Sequence, residues 1–260
     1  MDSPQHFLTR LRYKLAAREL ARLLRNPYEQ HRTLWTLFAD APSSGSAAAP
    51  RTFLFRQNRE PALAKRGVGE FLVISDRPAL SDSRFQAQVK PYRPQLAEGD
   101  ALHFQLRAEV LASIAGKDAN GSRLRGKKHD PMLSALKAAA PEMRSALRTR
   151  WLHGESNQEA DGDVSKPSLL ISDWLAPKLA RLGFALDLAS SRAESHETVQ
   201  LKCDGKGKAI CFSEADFQGQ LRVTDPALAT SAALGGVGHS KAFGCGLLLL
   251  RRVQLDLPND

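Results

Sequence analysis

The sequence predicts an α+β fold of two domains, on the basis of three observations. The second half of the chain has predicted elements in the order strand, helix, strands, helix, strand. The first half is compatible with a second, less regular copy of that arrangement, and 260 residues suffice for two small domains. Because β-α-β-β-α-β is the ferredoxin-like order, we expect two tandem ferredoxin-like (RRM-like) domains, each an antiparallel sheet with helices on one face. Their predicted ranges are residues 1–97 and 98–258.

The first half is predicted to contain three strands and two helices. Alternating apolar and polar side chains indicate the first strand. Asn26 and Pro27 separate the helices, because Asn caps a helix and Pro suits its first position. The strands are predicted at residues 6–13, 52–56 and 70–75, and the helices at 14–25 and 27–39. A basic stripe on the first helix consists of Lys14, Arg18, Arg22 and Arg25. It can follow a phosphate backbone or simply face solvent.

The second half contains the remaining predicted elements and three distinctive segments. Strands are predicted at residues 101–111, 184–188, 198–203, 209–223 and 247–253. Helices are predicted at residues 132–151, 171–182 and 225–234. The distinctive segments are a basic segment at 116–130, an apparent insertion at 131–168 and a glycine-rich loop at 235–246. The sheets of two such domains would offer a platform for single-stranded RNA.

Composition favours a polyanionic partner and excludes several classes of protein. The chain has 37 Lys and Arg against 28 Asp and Glu, a formal charge of +9, and a basic surface attracts nucleic acid. Three cysteines without a C-x-x-C pair disfavour a disulfide framework or a zinc ribbon. No apolar run reaches the ~18 residues of a membrane span. We therefore expect a cytoplasmic protein without a membrane partner.

The predicted helix at residues 27–39 carries the strongest local signal. Tyr28, His31 and Arg32 share one helical face. A phenol, an imidazole and a guanidinium within one turn can serve general acid–base catalysis and phosphate binding. The competing interpretation is a core histidine, because His31 also borders the apolar face of the same helix. The spacing alone leaves both interpretations open.

Two further segments are candidates for phosphate binding. The basic segment carries Arg123, Arg125, Lys127 and Lys128 without an intervening acid, and either binds RNA or is a solvated loop. The glycine-rich loop carries Gly236, Gly238 and Lys241, and either lets the backbone approach a phosphate or forms a tight turn. It is not a P-loop, because Ala242 follows the lysine where Ser or Thr is required. The scattered carboxylates form no metal-nuclease pattern, so neither a metal nor another cofactor is expected.

Several motifs in chain order resemble those of the CasE-type CRISPR RNA endonucleases of type I-E systems. The matching stretches are Asn26-Pro-Tyr-Glu-x-His-Arg-Thr-Leu34, Leu102-His-Phe-Gln-Leu-Arg-Ala108, Gly126-Lys-Lys-His129, Trp174-Leu with Gly183-Phe184, Phe217-Gln-Gly-Gln-Leu-Arg-Val-Thr-Asp-Pro226, and Gly236-Val-Gly with Lys241-Ala-Phe-Gly-Cys-Gly-Leu247. The chain departs from the family at Thr36, where some members carry a lysine, at His239, and in the long insertion.

The resemblance implies a function and a set of roles. The protein would cut CRISPR repeat RNA at the 3′ base of its hairpin without metal. His31 would be the general acid or base, Tyr28 its catalytic neighbour, and Arg32 a contact to the RNA backbone. The protein would retain the hairpin and join a multisubunit, crRNA-guided surveillance complex. The alternative is a non-cleaving subunit that only binds the hairpin.

Overall fold

The chain divides into two compact units. The computed structural model describes residues 6–13, 17–38, 53–59, 69–113, 116–117, 123–124, 126, 128–156, 165–201 and 209–253. Unit 1 comprises Met1–Gln95, Leu201–Ile210 and Thr230–Leu248, and unit 2 comprises Leu96–Gln200, Cys211–Ala229 and Leu249–Asp260. The glycine-rich loop therefore clusters with unit 1, although by chain position it falls in the second predicted domain.

Unit 1 is built on a four-stranded sheet with two helices. Its strands are β1 (His6–Tyr13), β2 (Phe53–Asn58), β3 (Glu70–Ser75) and β4 (Phe85–Tyr92), and its helices are α1 (Ala17–Arg25) and α2 (Pro27–Trp35). The strands lie in the order β2-β3-β1-β4 and all neighbours pair antiparallel. The central strand β1 is thus paired on both sides, as in a ferredoxin-like unit.

One face of this sheet and the two helices enclose the core of unit 1. Side chains alternate across a strand, so Leu11 and Tyr13 of β1 lie on the same face as Phe71 and Val73 of β3. Leu23 of α1 and an apolar set from α2 and the turn after it cover this face, namely Leu34, Leu37 and Phe38. The helices α1 and α2 therefore lie on one side of the sheet, and the other face carries polar and charged side chains together with Leu54, Leu72 and Ile74.

Unit 2 is built on a five-stranded sheet of the same topology. Its strands are β5 (Ala101–Glu109), β12 (Phe184–Leu186), β13 (Arg192–Leu201), β14 (Ile210–Val223) and β15 (Leu248–Arg252). The order is β12-β14-β5-β15, and β13 also pairs with β14. The first strand again lies at the centre of the sheet, and the predicted α+β class with two tandem ferredoxin-like sheets is confirmed.

The remaining elements of unit 2 are short. Three two-residue ladders pair β6 (Ala112–Ser113) with β9 (Lys128–His129), β7 (Gly116–Lys117) with β8 (Arg123–Leu124), and β10 (Glu155–Ser156) with β11 (Ser165–Lys166). The helices are α3 (Pro131–Ala138), α4 (Arg144–His153) and α5 (Ala176–Ala180). A further helix, α6 (Pro226–Gly235), begins in unit 2 and belongs to unit 1 from Thr230 onward. A 3-10 turn (Pro141–Met143) precedes α4, and a π-helical segment (Leu170–Leu175) precedes α5.

Two helix predictions were wrong in detail, and prolines explain both. Residues 132–151 do not form one helix, because Ala140 is extended at ψ 145° before Pro141 and the residue before a proline disfavours the α region. Residues 171–182 begin as a π-helix, with the N–H of Ala176 bonded to the carbonyl of Ile171. Pro177 has no N–H and its ring clashes with the carbonyl four residues earlier, which widens the preceding turn.

The strand predictions missed exposed segments. β4 was not predicted, and seven of its eight residues are exposed or half-buried, so it lacks the apolar alternation that indicates a strand. β13 begins at Arg192, earlier than the predicted residue 198, for the same reason. Apolar periodicity detects strands through burial, and these segments bury little.

A buried ionic cluster lies on the sheet of unit 2. Arg107 of β5, only 3% exposed, makes a bidentate contact with Asp216 at 2.9 Å and lies 3.9 Å from Glu214. Asp130 accepts from the backbone N–H of Leu133 at 2.9 Å as the N-cap of α3, and its other oxygen lies 2.8 Å from Nε2 of His196. These carboxylates therefore have structural partners.

Candidate active site

Local sequence fixes the position of α2. The side chain of Asn26 accepts hydrogen bonds from the backbone N–H groups of Tyr28 and Glu29 at 3.1 and 3.4 Å, and Pro27 occupies the first turn. Buried Gln30 donates to the carbonyls of Leu23 and Leu24 and to the side chain of Gln57. These bonds tie α2 to the end of α1 and to β2, so its exposed face has a defined orientation.

His31 lies at the border between the core and solvent. Its ring stacks on Phe53 of β2, with centroids 5.2 Å apart and planes at 28°, and it lies 5.6 Å from the ring of Trp35. The side chain is only half-buried. The aromatic contacts restrict the imidazole without removing it from solvent, a geometry that serves proton transfer.

Tyr28 and Arg32 lie on the same helical face and are more exposed than His31. Tyr28 is 48% exposed, and the Arg32 side chain is 72% exposed with Glu29 3.8 Å away. An ion pair at this distance and exposure contributes little to stability, so Arg32 can exchange Glu29 for a phosphate at little cost. The structure thus brings together the three residues predicted from their spacing.

The glycine-rich loop packs beside this helix. Its 3-10 turn, Lys241–Phe243, contacts both α2 and β2. A Cβ on Gly236 would lie 2.8 Å from Cδ1 of Leu54 and 2.8 Å from the carbonyl oxygen of Gly246, whereas a Cβ on Gly238 would meet nothing within 4 Å. Gly236 is therefore required for packing of the loop, and Gly238 is the position where the backbone is open to a ligand.

Lys241 has a structural task that its sequence position did not reveal. Its Nζ donates to the carbonyl oxygens of Gly235 and Gly236 at 2.6 and 2.9 Å. These carbonyls end α6, where a cation is favoured by the helix dipole and by unpaired carbonyl groups. The ammonium thus closes the loop onto α6. Its predicted role in RNA binding stays a prediction.

Arg84 is a cation beside α2 that sequence reasoning missed. Its Nη2 donates to Oγ1 of Thr36 at 2.8 Å, and Asp82 binds the same guanidinium at 2.7 Å. Thr36 is the position where the related family carries a lysine in some members. A guanidinium held by two partners therefore lies at the end of α2. Only the tertiary fold brings it there, because 48 residues separate it from Thr36.

The other predicted basic residues are partly described. Arg22 and Arg25 are exposed on α1 and Lys128 is exposed on β9. Lys14, Arg125 and Lys127 lie outside the described residues, as do the side chains of Arg18 and Arg123. Their proposed contacts with RNA stay predictions.

Within the described ranges, no group of three or more His, Cys, Asp and Glu side chains is placed to hold a metal ion. None of the helices seen in the described part of the chain is long and apolar enough to cross a membrane.

The chain is similar to CRISPR-associated proteins along nearly its whole length. A model of the family "CRISPR associated protein" matches residues 6–252. The CRISPR-associated endoribonuclease Cse3 of Thermus thermophilus is 28% identical over 252 residues, covering 93% of this chain and 98% of that protein. The CRISPR system Cascade subunit CasE of Escherichia coli is 24% identical over 226 residues, covering 87% and 92%.

Solved structures of CRISPR-associated proteins are also similar to this chain. Thermus thermophilus Cse3 bound to an RNA representing a pre-cleavage complex matches with a TM-score of 0.61 at 25% identity, over 95% of this chain and 99% of that one. Cas6e of Escherichia coli K-12 matches with a TM-score of 0.52 at 20% identity, over 95% and 100%, and this second likeness shows the fold alone.

Proposed function

Because the chain belongs to the family of CRISPR-associated proteins, we propose that it is a metal-independent endoribonuclease that cleaves CRISPR precursor RNA at the 3′ base of the repeat hairpin. The protein then keeps the hairpin and becomes a subunit of a crRNA-guided surveillance complex in the cytoplasm. The similar Cse3 is named an endoribonuclease and has been solved with RNA, and the similar CasE is named a Cascade subunit, which supports both parts of the proposal.

The position of His31 carries the proposal. A half-buried imidazole stacked on Phe53 shares its helical face with exposed Tyr28 and Arg32. A histidine that served the core alone would not need a phenol and a guanidinium presented to solvent beside it. Histidine also changes its protonation near neutral pH, as general acid–base catalysis requires.

The reaction is an internal transfer at phosphorus. The 2′-oxygen of the ribose loses its proton to a base and forms a bond to the adjacent phosphorus, while the bond from phosphorus to the 5′-oxygen breaks. An acid returns a proton to the leaving 5′-oxygen. The products are a 2′,3′-cyclic phosphate and a 5′-hydroxyl, and water is not consumed. His31 performs one of the two proton transfers, and Tyr28 assists it.

The negative charge that develops on the phosphate needs stabilisation. Arg32 supplies a mobile guanidinium from the same helix, since its pairing with Glu29 is weak. The exposed backbone at Gly238, in the loop that packs on α2, can approach a phosphate closely. Arg84, held at Thr36, adds a second guanidinium at the end of α2.

The test is cleavage of the repeat hairpin from the host's own CRISPR array in excess EDTA. We expect the wild-type protein to cut the RNA at a single site, the 3′ base of the stem. His31→Ala should bind the hairpin but cut it about 10²- to 10⁴-fold more slowly, because a general acid or base usually contributes this much to the rate. The matched control is His153→Ala, which removes an exposed histidine of unit 2 and should leave the rate unchanged. A single 2′-deoxyribose at the cut site should abolish cleavage and leave binding intact.

Two outcomes would contradict the proposal. Cleavage that EDTA abolishes would indicate a metal-dependent nuclease. Tight hairpin binding with no cleavage by the wild-type protein would make the chain a non-cleaving hairpin-binding subunit, with His31 in a structural role.

A further inference from the structure

The sheet of unit 1 has a basic face on the side away from its helices. In the antiparallel register, Arg10 lies opposite Leu72 and Gln88. Residues paired directly across an antiparallel ladder point to the same face, and alternation places this set opposite Leu11 and Tyr13 of the core. This face also carries the apolar residues Leu8, Leu54, Leu72 and Ile74, of which Leu54 and Ile74 are buried. The basic face is the remaining part, defined by Arg10, Arg12, Arg56 and Lys90, together with the polar residues Asn58, Glu70, Gln86 and Gln88.

The basic face carries more positive than negative charge. Among its described residues there are four Lys and Arg side chains and one carboxylate, Glu70. Glu70 is only 6% exposed and accepts hydrogen bonds from Arg12 at 2.9 Å and Asn58 at 3.1 Å. Although burial raises the pKa of this carboxyl, its hydrogen bonds with Arg12 and Asn58 lower the pKa below the ordinary value overall. Glu70 therefore stays ionised and mainly balances Arg12, with a smaller electrostatic interaction with Arg10.

Two of the cations are available to a ligand. Arg10 donates from Nε and Nη2 to the side-chain oxygen of Gln88, a neutral partner that orients the guanidinium without neutralising it. Lys90 is exposed on β4 and makes no hydrogen bond to another described residue. Arg10 and Lys90 lie on paired strands of one face, so they form a short basic track rather than a single phosphate pocket.

The chemistry of the track fits single-stranded RNA. Cations spaced over a flat sheet can follow a phosphate backbone, and the neighbouring amides of Gln86, Gln88 and Asn58 can donate and accept hydrogen bonds at base edges. Sheet faces of this fold class are a common platform for single strands. The helix that carries His31 packs on the opposite side of the same sheet, so the track lies across the sheet from His31.

We propose that this basic face binds the single-stranded RNA that flanks the repeat hairpin in the precursor transcript. This inference rests on the proposed function, because it assumes a precursor RNA as substrate. The contacts are mainly with the backbone, so binding of the flank tolerates changes of its sequence and depends strongly on salt.

The test compares two RNAs that carry 2′-deoxyribose at the cut site, so that binding is measured without cleavage. One is the minimal hairpin, and the other has about ten unpaired nucleotides on each side, a length that a single-strand site typically covers. The variant is the double substitution Arg10→Gln with Lys90→Gln, which leaves the Arg12–Glu70 pair intact. The matched control, Arg181→Gln with Lys137→Gln, removes one exposed Arg and one exposed Lys from unit 2.

We expect the flanks to tighten binding by the wild-type protein, and the basic-face variant to lose that gain. Each lost phosphate contact reduces affinity about fivefold at 0.1 M salt and reduces the slope of log K against log salt by about 0.7 for single strands. The double variant should therefore bind the flanked RNA roughly 25-fold more weakly, while its binding of the minimal hairpin stays unchanged. Its cleavage of a second minimal hairpin, with ribose at the cut site, should also stay unchanged. The control should bind both RNAs as the wild type does.

The outcomes separate this inference from the proposed function. If the wild type neither binds nor cuts the minimal hairpin, the proposed function fails first. If the wild type cuts the hairpin but the flanks add no affinity, the basic face does not bind flanking RNA. The same conclusion follows if the control variant loses as much affinity for the flanked RNA as the basic-face variant does. If the variant keeps both RNA affinities but fails to assemble with other subunits, the face serves an acidic protein partner and the RNA inference is wrong.

Discussion

Replacing two glycines of the same loop by alanine should separate a packing requirement from backbone strain. Gly236 and Gly238 have almost identical φ angles, +76° and +77°. An alanine in this left-handed region costs about 1–2 kcal/mol at either position, and the entropy that alanine removes from the unfolded chain is the same for both. The difference in unfolding free energy between the two variants therefore reports the cost of the contacts that the new methyl group makes.

The contacts differ sharply between the two positions. At Gly236 the methyl would lie 2.8 Å from the carbonyl oxygen of Gly246 and from Cδ1 of Leu54, and at Gly238 it would meet nothing within 4 Å. The leucine can rotate but the carbonyl cannot retreat without opening the loop, and overpacking of this kind costs about 1–3 kcal/mol. We expect Gly236→Ala to lower the free energy of unfolding by roughly 2–5 kcal/mol in all, and Gly238→Ala to lower it by about 1–2 kcal/mol.

The assay is urea unfolding followed by far-ultraviolet circular dichroism, with the cleavage rate measured on the same preparations. Gly236→Ala should also cut more slowly, because the displaced loop packs on α2 and β2. An equal loss of unfolding free energy in the two variants would refute the assignment of Gly236 to packing. A stable Gly236→Ala protein that cuts at the wild-type rate would refute the link between the loop and the helix of His31.

Two further predictions concern the buried ionic groups of unit 2. Arg107→Met should lower the unfolding free energy by about 3–5 kcal/mol, because it leaves the buried Glu214 and the largely buried Asp216 without their cation. A change below about 1 kcal/mol in urea unfolding would contradict a buried ion pair. For Asp130, burial raises the pKa, but hydrogen bonds from His196 and the backbone of Leu133 lower it overall below the ordinary value of 3.8. A depressed pKa means that the ionised carboxylate stabilises the fold above the ordinary pKa, and that this contribution is lost as pH falls below it. The wild type should therefore lose stability more steeply than Asp130→Asn as pH falls below about 4, and parallel curves would show that the carboxylate contributes nothing.

The sequence determined the features that depend on local pattern. The α+β class, the order of the ferredoxin-like elements and the resemblance to CasE-type proteins all followed from residues near one another in the chain, and each is confirmed. The helical face of Tyr28, His31 and Arg32 was also predictable, because Asn26 and Pro27 fix where α2 begins and helical geometry then fixes which side chains align.

Only the tertiary structure decided the features that depend on long-range pairing. Apolar periodicity could not find β4, whose side chains are mostly exposed, and without β4 the pairing of Arg10 with Gln88 and the basic face were invisible. The partner of Thr36 is Arg84, 48 residues away, and the ammonium of Lys241 closes a helix end instead of standing free for a ligand. The physical reason is the same in each case: a charged side chain takes its role from the groups that folding brings within about 3 Å of it, and local sequence does not specify which groups those are.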